Sequence, residues 1–537
     1  MQIFLSRSWR WIFQFQENHT ARSSYKLHSI QQSFEIMCAF LQRSAEPDSE
    51  ICDTCHEWKD VLGTCHESYT LSQWQSAAAR GCRSCDFRCR VARCLSPDKD
   101  IPFRCDQWSM MRFDGELFNI FRIPKGVRSN EYPELPIGHL LSEGTSSDST
   151  FTMIRGWLND CTLNHAACKI VGGSESFMPK RVLNLTEGRV FLQEDAPLST
   201  YACLSHCWGK NQTPTKTLKA TVNDYMTKGI PCEILSKTFQ DAVDICRRLQ
   251  IEYLWIDSLC IIQDSDEDWN EEALKMGDIY AHAFLTIAAT KSEDGHGGCY
   301  QNRDPAYMDY RTIVEGSVFI RKAMPLLREF YYTEAHTPLL HRAWAFQETL
   351  LSTRVIHFMA EEVIWQCNDC QKSESGINDC VPNPMPGREL MIGNNSTAES
   401  SWHELVENYS GLQLSFEKDR LPALAAISQR VAQGRAADDR FLAGLWTSSL
   451  LKDLLWTYDV PGNRSVKRPT ECNAPSWSWT SVESRVWWIF DYMPLPFTRV
   501  VTVNVEAIGS PYLGQYSRAE LVLEGPVFRT TLVSIDL

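Results

Sequence analysis

No stretch of eighteen or more uncharged apolar residues occurs in the chain, so no membrane-spanning helix is expected. Basic charge is not in excess either: 53 Lys and Arg stand against 67 Asp and Glu, a net −14. A surface that acidic repels phosphate backbones, which argues against general nucleic-acid binding. The Gly-x-Gly-x-x-Gly and Walker-lysine signatures are missing, and no unit recurs at a fixed period. The opening MQIFLSRSWRWIFQFQ has no clean apolar signal core, because Arg7 and Arg10 interrupt it. Its first acid is Glu17, which leaves a mitochondrial presequence open. With 43% hydrophobic and 22% charged residues over 537 positions, wholesale disorder is excluded, and the length admits several domains.

What the chain does have is cysteine. Twenty-one is an odd number, and many lie in apolar runs such as Tyr201-Ala-Cys203-Leu and Leu259-Cys260-Ile. That distribution is unlike a small disulfide scaffold and points to a reducing, cytoplasmic setting. Residues 1–44 are expected to be a tail without packed structure, with Met37 just ahead of the first organised segment. A Cys-, Arg- and Ser-rich region follows over 45–126, then a linker containing YPELPIGHLLSEGTSSDST. A helix is expected from about Thr152, with Trp157, Cys161, His165 and Cys168 recurring at three- and four-residue intervals. The Pro/Gly/Asn-rich stretch at 381–396 marks another boundary. Beyond it, helical patterns lie around Trp402–Tyr409, Leu421–Val431 and Ala443–Leu455, and strand-like runs at Val500–Ala507 and Leu521–Val527. The last of these lies close to the end of the chain, so the terminal sheet is expected to be incomplete.

From Tyr201 to about Phe358, short apolar runs alternate with amphipathic helices, the pattern of parallel α/β architecture. The first strand, YACLSHCWG, is almost continuously apolar, as a strand covered on both faces should be. A helix over Phe239–Leu249 follows, with Thr238 and Asp241 at its start. The next run, Tyr253–Ile262, predicts a second buried strand carrying Asp257 near its carboxyl end. Ligand crevices of open α/β sheets lie beyond those ends, so Ser205, His206, Asp257 and Ser258 should gather on one edge. A buried Asp257 needs a partner, whether its role is structural or functional.

On the following helix, Ala273, Met276, Ile279, Tyr280 and Ala283 share an apolar arc with Trp269, and Glu272 falls on its edge while Glu271 points away. Two readings of Glu272 stand: a buried acid paired to an arginine such as Arg342, or a carboxylate whose desolvation serves chemistry. A third strand over Phe284–Thr290, a helix over His341–Leu351 and a hairpin of Arg354–Phe358 with Glu362–Gln366 complete the segment.

Three blocks here, YACLSHCWG, RLQIEYLWIDSLCIIQDSDEDWNEEALKMGDIYAHAFLTIAAT and HRAWAFQETLLSTRVIHF, resemble the motif blocks of the fungal heterokaryon-incompatibility (HET) domain. The lead-in (CTLNHAAC and EGRVFLQEDAPLSTYACLS) and the segments WHELVENYSGLQLSFEKDRLPALAAIS, AGLW, LLW and APSWSWTSVES resemble its usual flanks, so the likeness covers most of 157–482. His206 stands where the family often has Tyr, a tolerated change. The resemblance divides the chain into a helical lead-in over 151–200, a HET domain over 201–380 and an α+β extension over 397–537. It implies an α/β fold with a TIR-like, flavodoxin-like parallel sheet and a role in non-self recognition and programmed cell death. It also implies self-association on activation and a separate sensor protein.

Many TIR domains cleave NAD at the nicotinamide glycosidic bond with a helix-borne Glu near a Trp, and Trp269 and Glu272 resemble that pair. Under this expectation Glu272 is catalytic, while Ser205, His206, Trp208, Asp257, Ser258 and Trp269 shape the site for NAD as substrate. A carboxylate suits the chemistry, since C–N cleavage builds oxocarbenium charge on the ribose. The alternative is a signalling and self-association module without enzymatic activity.

Cys52-x-x-Cys55 and Cys82-x-x-Cys85 have the form of a four-thiolate zinc site, although the intervening 26 residues exceed the usual spacing. Reduced thiols packing a small lobe are the other reading. Cys65, Cys89, Cys94, His56 and His66 are competing ligands. Cys367-x-x-Cys370 lacks an obvious second pair and reads as incidental. Asp264, Asp266 and Asp268 imitate an EF-hand start, but Trp269 replaces the needed glycine, so they read as a solvated loop at a helix N-terminus. His403-Glu404-Leu-Val-Glu407 lacks the second histidine of a zinc protease. Ser205, His206 and Asp257 could compose a hydrolase triad, but no Gly-x-Ser-x-Gly elbow supports one.

Overall fold

The computed structural model describes residues 68–526, apart from 97–102, 108–109, 125–131, 134, 171–176, 186–188, 210–214, 324–336, 378, 380–397, 459–473 and 489–496. The tail over 1–44 and the Cys52/Cys55 pair lie outside the described residues. Described residues up to 379 belong to one compact unit and those from 398 to a second.

Among the described residues, the first unit holds two sheets. The smaller is antiparallel, built from β1 (Ser68–Tyr69), β2 (Phe103–Gln107), β3 (Met110–Phe113) and β4 (Glu116–Arg122). Asp114 and Gly115, both at positive φ (50° and 78°), make the tight turn between β3 and β4. The helices Leu71–Ala79 and Arg83–Leu95 pack on it through Trp74, Phe87 and Val91.

The larger sheet is mixed and has eight strands. Its members are β5 (Arg181–Asn184), β6 (Phe191–Glu194), β7 (Tyr201–Ser205), β8 (Tyr253–Trp255) and β9 (Leu285–Ala288), and then, after a hairpin that belongs to the smaller sheet, three more. That hairpin, β10 (Arg311–Val314) and β11 (Val318–Lys322), pairs through β11 with β4. The Cys-rich region is therefore closed by residues from the middle of the chain. The last three strands are β12 (Arg354–Phe358), β13 (Val363–Cys367) and β14 (Gln371–Ser373), and the spatial order is β14-β13-β12-β9-β7-β8-β5-β6. Strands β8, β7, β9 and β12 run parallel, and antiparallel pairs flank them on both sides. Tyr201 through Leu204 and Leu285 through Ala288 are buried, as inner parallel strands covered on both faces must be.

The expected second strand is shorter than its apolar run. It ends at Trp255, and Asp257–Cys260 form a helical turn. Hydrophobicity alone cannot separate a buried strand from a buried helical turn, so the run Leu259–Ile262 gave no warning. The helix Lys237–Arg248 starts two residues earlier than expected, capped by the Ser236 hydroxyl, which accepts from the Phe239 amide. Thr238 and Asp241 instead anchor the 294–300 loop: Asp241 accepts from the amides of Cys299 (2.9 Å) and Tyr300 (3.2 Å).

In the second unit the helices Ala398–Ser410 and Ala425–Gln433 form as the pattern predicts. The expected helix over Ala443–Leu455 does not. Ala443 and Gly444, at φ 51° and 97°, turn a two-stranded ribbon (Phe441–Leu442 with Leu445–Trp446), and only Leu450–Asp453 is helical. His403, rejected as a zinc ligand, is bonded to the buried Asp453 (2.7 Å) and stacks on Trp488. The terminal runs form a hairpin, Arg499–Ala507 with Tyr516–Glu524.

Candidate functional site

The carboxyl end of β7 carries Ser205 and leads into His206, Cys207 and Trp208. The carboxyl end of β8 leads into Asp257, whose side chain is about one-fifth exposed. Parallel pairing of Cys203 with Trp255 brings these two ends level. Trp208 Nε1 donates to Asp257 Oδ2 (2.9 Å), and His206 Nδ1 lies 3.9 Å from Asp257 Oδ1. Asp257 Oδ1 also accepts from the Ser258 amide (2.7 Å), while the Ser258 hydroxyl donates to the Thr215 carbonyl (3.1 Å). Four of the expected residues, His206, Trp208, Asp257 and Ser258, thus meet around one carboxylate.

His206 is buried against the edge of the Phe239 ring, and its Nε2 has no hydrogen-bond partner. Burial pushes its pKa down, so the imidazole is held neutral. Arg342 donates to its backbone carbonyl.

Ser205 turns to a partner the sequence did not suggest. Its hydroxyl donates to Glu348 on the helix Ala343–Leu351. Glu348 is buried, and that burial pushes its pKa up to about 7 against the pull of the Ser205 hydrogen bond. Tyr280, also bonded to Glu348, donates to the Leu204 carbonyl (3.1 Å). A carboxyl that exchanges its proton near neutrality is equipped for acid–base work. The available signal was an acid inside the apolar helix AWAFQETLL.

Glu272 lies at the centre of the buried face of the helix Asp266–His282, not at its edge. It is 1% exposed, whereas Trp269, expected beside it on the apolar arc, is 38% exposed. Glu272 is paired to Lys275 (3.3 Å) rather than to Arg342, and it lies in the field of Arg181. The Cys260 thiol feels both Asp257 and Glu272. Asp268 is not a solvated loop charge. It is buried, bonded to Arg181 and to the Ile262 amide (2.8 Å), and although burial opposes ionisation these bonds hold its carboxyl below the usual range.

A second constellation surrounds Cys367. Cys161 from the last turn of the helix Asp148–Asn164, His165 and Cys168 just beyond it, and Cys367 at the end of β13 offer ligand atoms all within 4.8 Å of one another. Cys367 alone of the Cys367-x-x-Cys370 pair belongs to this set, and the other members come from the lead-in segment about two hundred residues upstream. Of the expected N-terminal ligands, Cys82 and Cys85 are buried around the start of the helix Arg83–Leu95. None of the described cysteines forms a disulfide, and no described helix is long and apolar enough to cross a membrane.

Comparison with curated proteins and with solved structures returned no match. Among family models, that of the heterokaryon incompatibility protein (HET) matches residues 201–348, from the first residue of β7 to Glu348. The matched segment contains every residue of the β7–β8 edge described above, and this part of the chain is similar to the heterokaryon incompatibility domain.

Proposed function

We propose that this chain is an effector of fungal non-self recognition that triggers cell death by cleaving NAD at the nicotinamide glycosidic bond. The observation that carries the reading is topological. The four parallel strands run in the order second, first, third, fourth in chain sequence, the doubly wound order of flavodoxin-like folds. The polar residues meet at the carboxyl ends of the first two, beside the switch point between the first and third strands at which such folds take nucleotides. In this scheme Trp208, His206, Asp257 and Ser258 line the nucleotide site with Trp269 at its rim, and Ser205 acts through Glu348. Glu272 stabilises the oxocarbenium charge and orients the ribose hydroxyls. Glu272 pairs with the partly exposed Lys275 (3.3 Å).

The near-complete burial of Glu272 favours a second reading, in which the domain signals by self-association with a sensor protein and performs no chemistry. Cells expressing the full chain or its Glu272→Gln variant separate the two. The enzymatic reading expects NAD depletion and death with the wild type and neither with the variant. Killing by the variant at undiminished NAD would transfer the function to the assembly. A zinc site at Cys52, Cys55, Cys82 and Cys85 remains part of the proposal for the N-terminal region, and zinc content of a Cys82→Ser/Cys85→Ser variant tests it.

A further inference from the structure

We propose that Cys161, His165, Cys168 and Cys367 bind a zinc ion that clamps the lead-in helix to the β13–β14 hairpin. The spacing Cys-x-x-x-His-x-x-Cys places three ligands on one helix end, and Cys367 supplies the fourth from the sheet edge. Three sulfurs and one imidazole nitrogen are the donor set of structural zinc sites. With zinc–sulfur bonds of about 2.3 Å and zinc–nitrogen bonds of about 2.0 Å, a tetrahedron has ligand–ligand edges of roughly 3.5–3.8 Å. Here Cys367 Sγ lies 3.3 Å from His165 Nδ1, and no pair in the set exceeds 4.8 Å, so closing on a metal needs shifts of an ångström or less.

The surroundings fit a closed site. Cys161, Cys168 and Cys367 are buried, which keeps water from a fifth position. Arg354 Nε donates to Cys161 Sγ (3.2 Å), so three thiolates, one divalent ion and one guanidinium sum to no net charge in a dry place. Asp160 lies 3.7 Å from His165 Nε2, on the side of the ring away from Cys367, and is itself tied to Lys372 (2.7 Å). Asn368, in the turn after Cys367, donates to the Ala167 carbonyl (3.1 Å), which aligns the two ligand-bearing segments independently of the metal. Binding requires no redox partner: up to three thiol protons pass to solvent as the zinc–sulfur bonds form. Cys370, 3.7 Å from Cys367, lies outside the four-ligand set.

The test uses the full chain in a Cys52→Ser/Cys55→Ser background, which removes the rival pair. Metal content is measured after purification and after incubation with zinc alone. One zinc per chain is expected, lost at least tenfold in Cys161→Ser and Cys367→Ser, and retained in Cys370→Ser and in His165→Cys, which converts the site to four thiolates. Should the serine variants fail to fold, the background protein is stripped with a chelator and given cobalt. An intense thiolate-to-cobalt absorption and a recovered melting temperature support the site. Zinc absent from the zinc-treated background protein, or unchanged in a folded Cys367→Ser variant, overturns it.

Discussion

At the scale of single residues, the side chain that most alters the picture is Glu348. Its folded pKa of about 7 stands above the usual carboxylate value, so the folded protein holds this proton more tightly than the unfolded chain does. Stability from this group is fully present below about pH 4.5 and is lost as pH rises through about 7. Unfolding free energy from urea titrations should therefore fall between pH 5 and pH 8, by up to about 3 kcal/mol from this residue. Glu348→Gln keeps an acceptor for Ser205 and should flatten that slope, ending more stable than the wild type at pH 8. An unchanged slope would show that Glu348 is already ionised at pH 5. Ser205, His206, Trp208, Asp257 and Ser258 were legible because strand ends are visible in sequence and ligand sites follow them. Their partners were less so. Glu348 is 143 residues from Ser205, and Lys275 replaces the arginine that charge matching alone suggested for Glu272.

Elements are held by contacts of the same long-range kind. Arg303 and Glu374, both buried, form an ion pair, and Glu374 also accepts from Thr150 at the start of the lead-in helix (2.6 Å) and from the Val363 amide that opens β13 (3.2 Å). Glu374→Ala should destabilise the first unit by about 3–5 kcal/mol, because it strands a buried guanidinium as well as breaking the pair. A loss under about 1 kcal/mol by denaturant titration would mean that water reaches Arg303. In the second unit, Gly444 occupies φ 97°, and a Cβ there would lie 2.6 Å from Trp479 Nε1. That indole donates to the Gly444 carbonyl (2.9 Å), so Gly444→Ala should cost about 1–3 kcal/mol and broaden the indole proton signal of Trp479. Retained stability would mean that the turn has another conformation. This turn was read as helix because Ala443–Leu455 has helical spacing of apolar residues. The positive φ values that break it come from a packing partner 35 residues on. The parallel strands, by contrast, were visible as apolar runs separated by amphipathic helices, although β7 ends at Ser205, short of the expected Gly209, and β8 gives way to a helical turn at Asp257.

For the whole molecule, the sequence made the α/β core legible and left the domain limits obscure. The Cys-rich region needs β10 and β11 from the central segment to complete its sheet, and the lead-in helix meets Cys367 across two hundred residues. Neither junction has a local signature, since strand pairing and thiol clustering depend on where the chain returns. The HET segment is thus bound into a larger unit, and a chain cut at residue 201 would lose β5, β6 and three of the four metal ligands. The full chain is accordingly the right material for the measurement closest to the central claim: nicotinamide release from NAD by purified protein at high concentration, wild type beside Glu272→Gln. Steady release by the wild type, reduced at least a hundredfold in an equally folded variant, is the predicted result. No release by folded, assembled wild-type protein, or equal release by both, would contradict it.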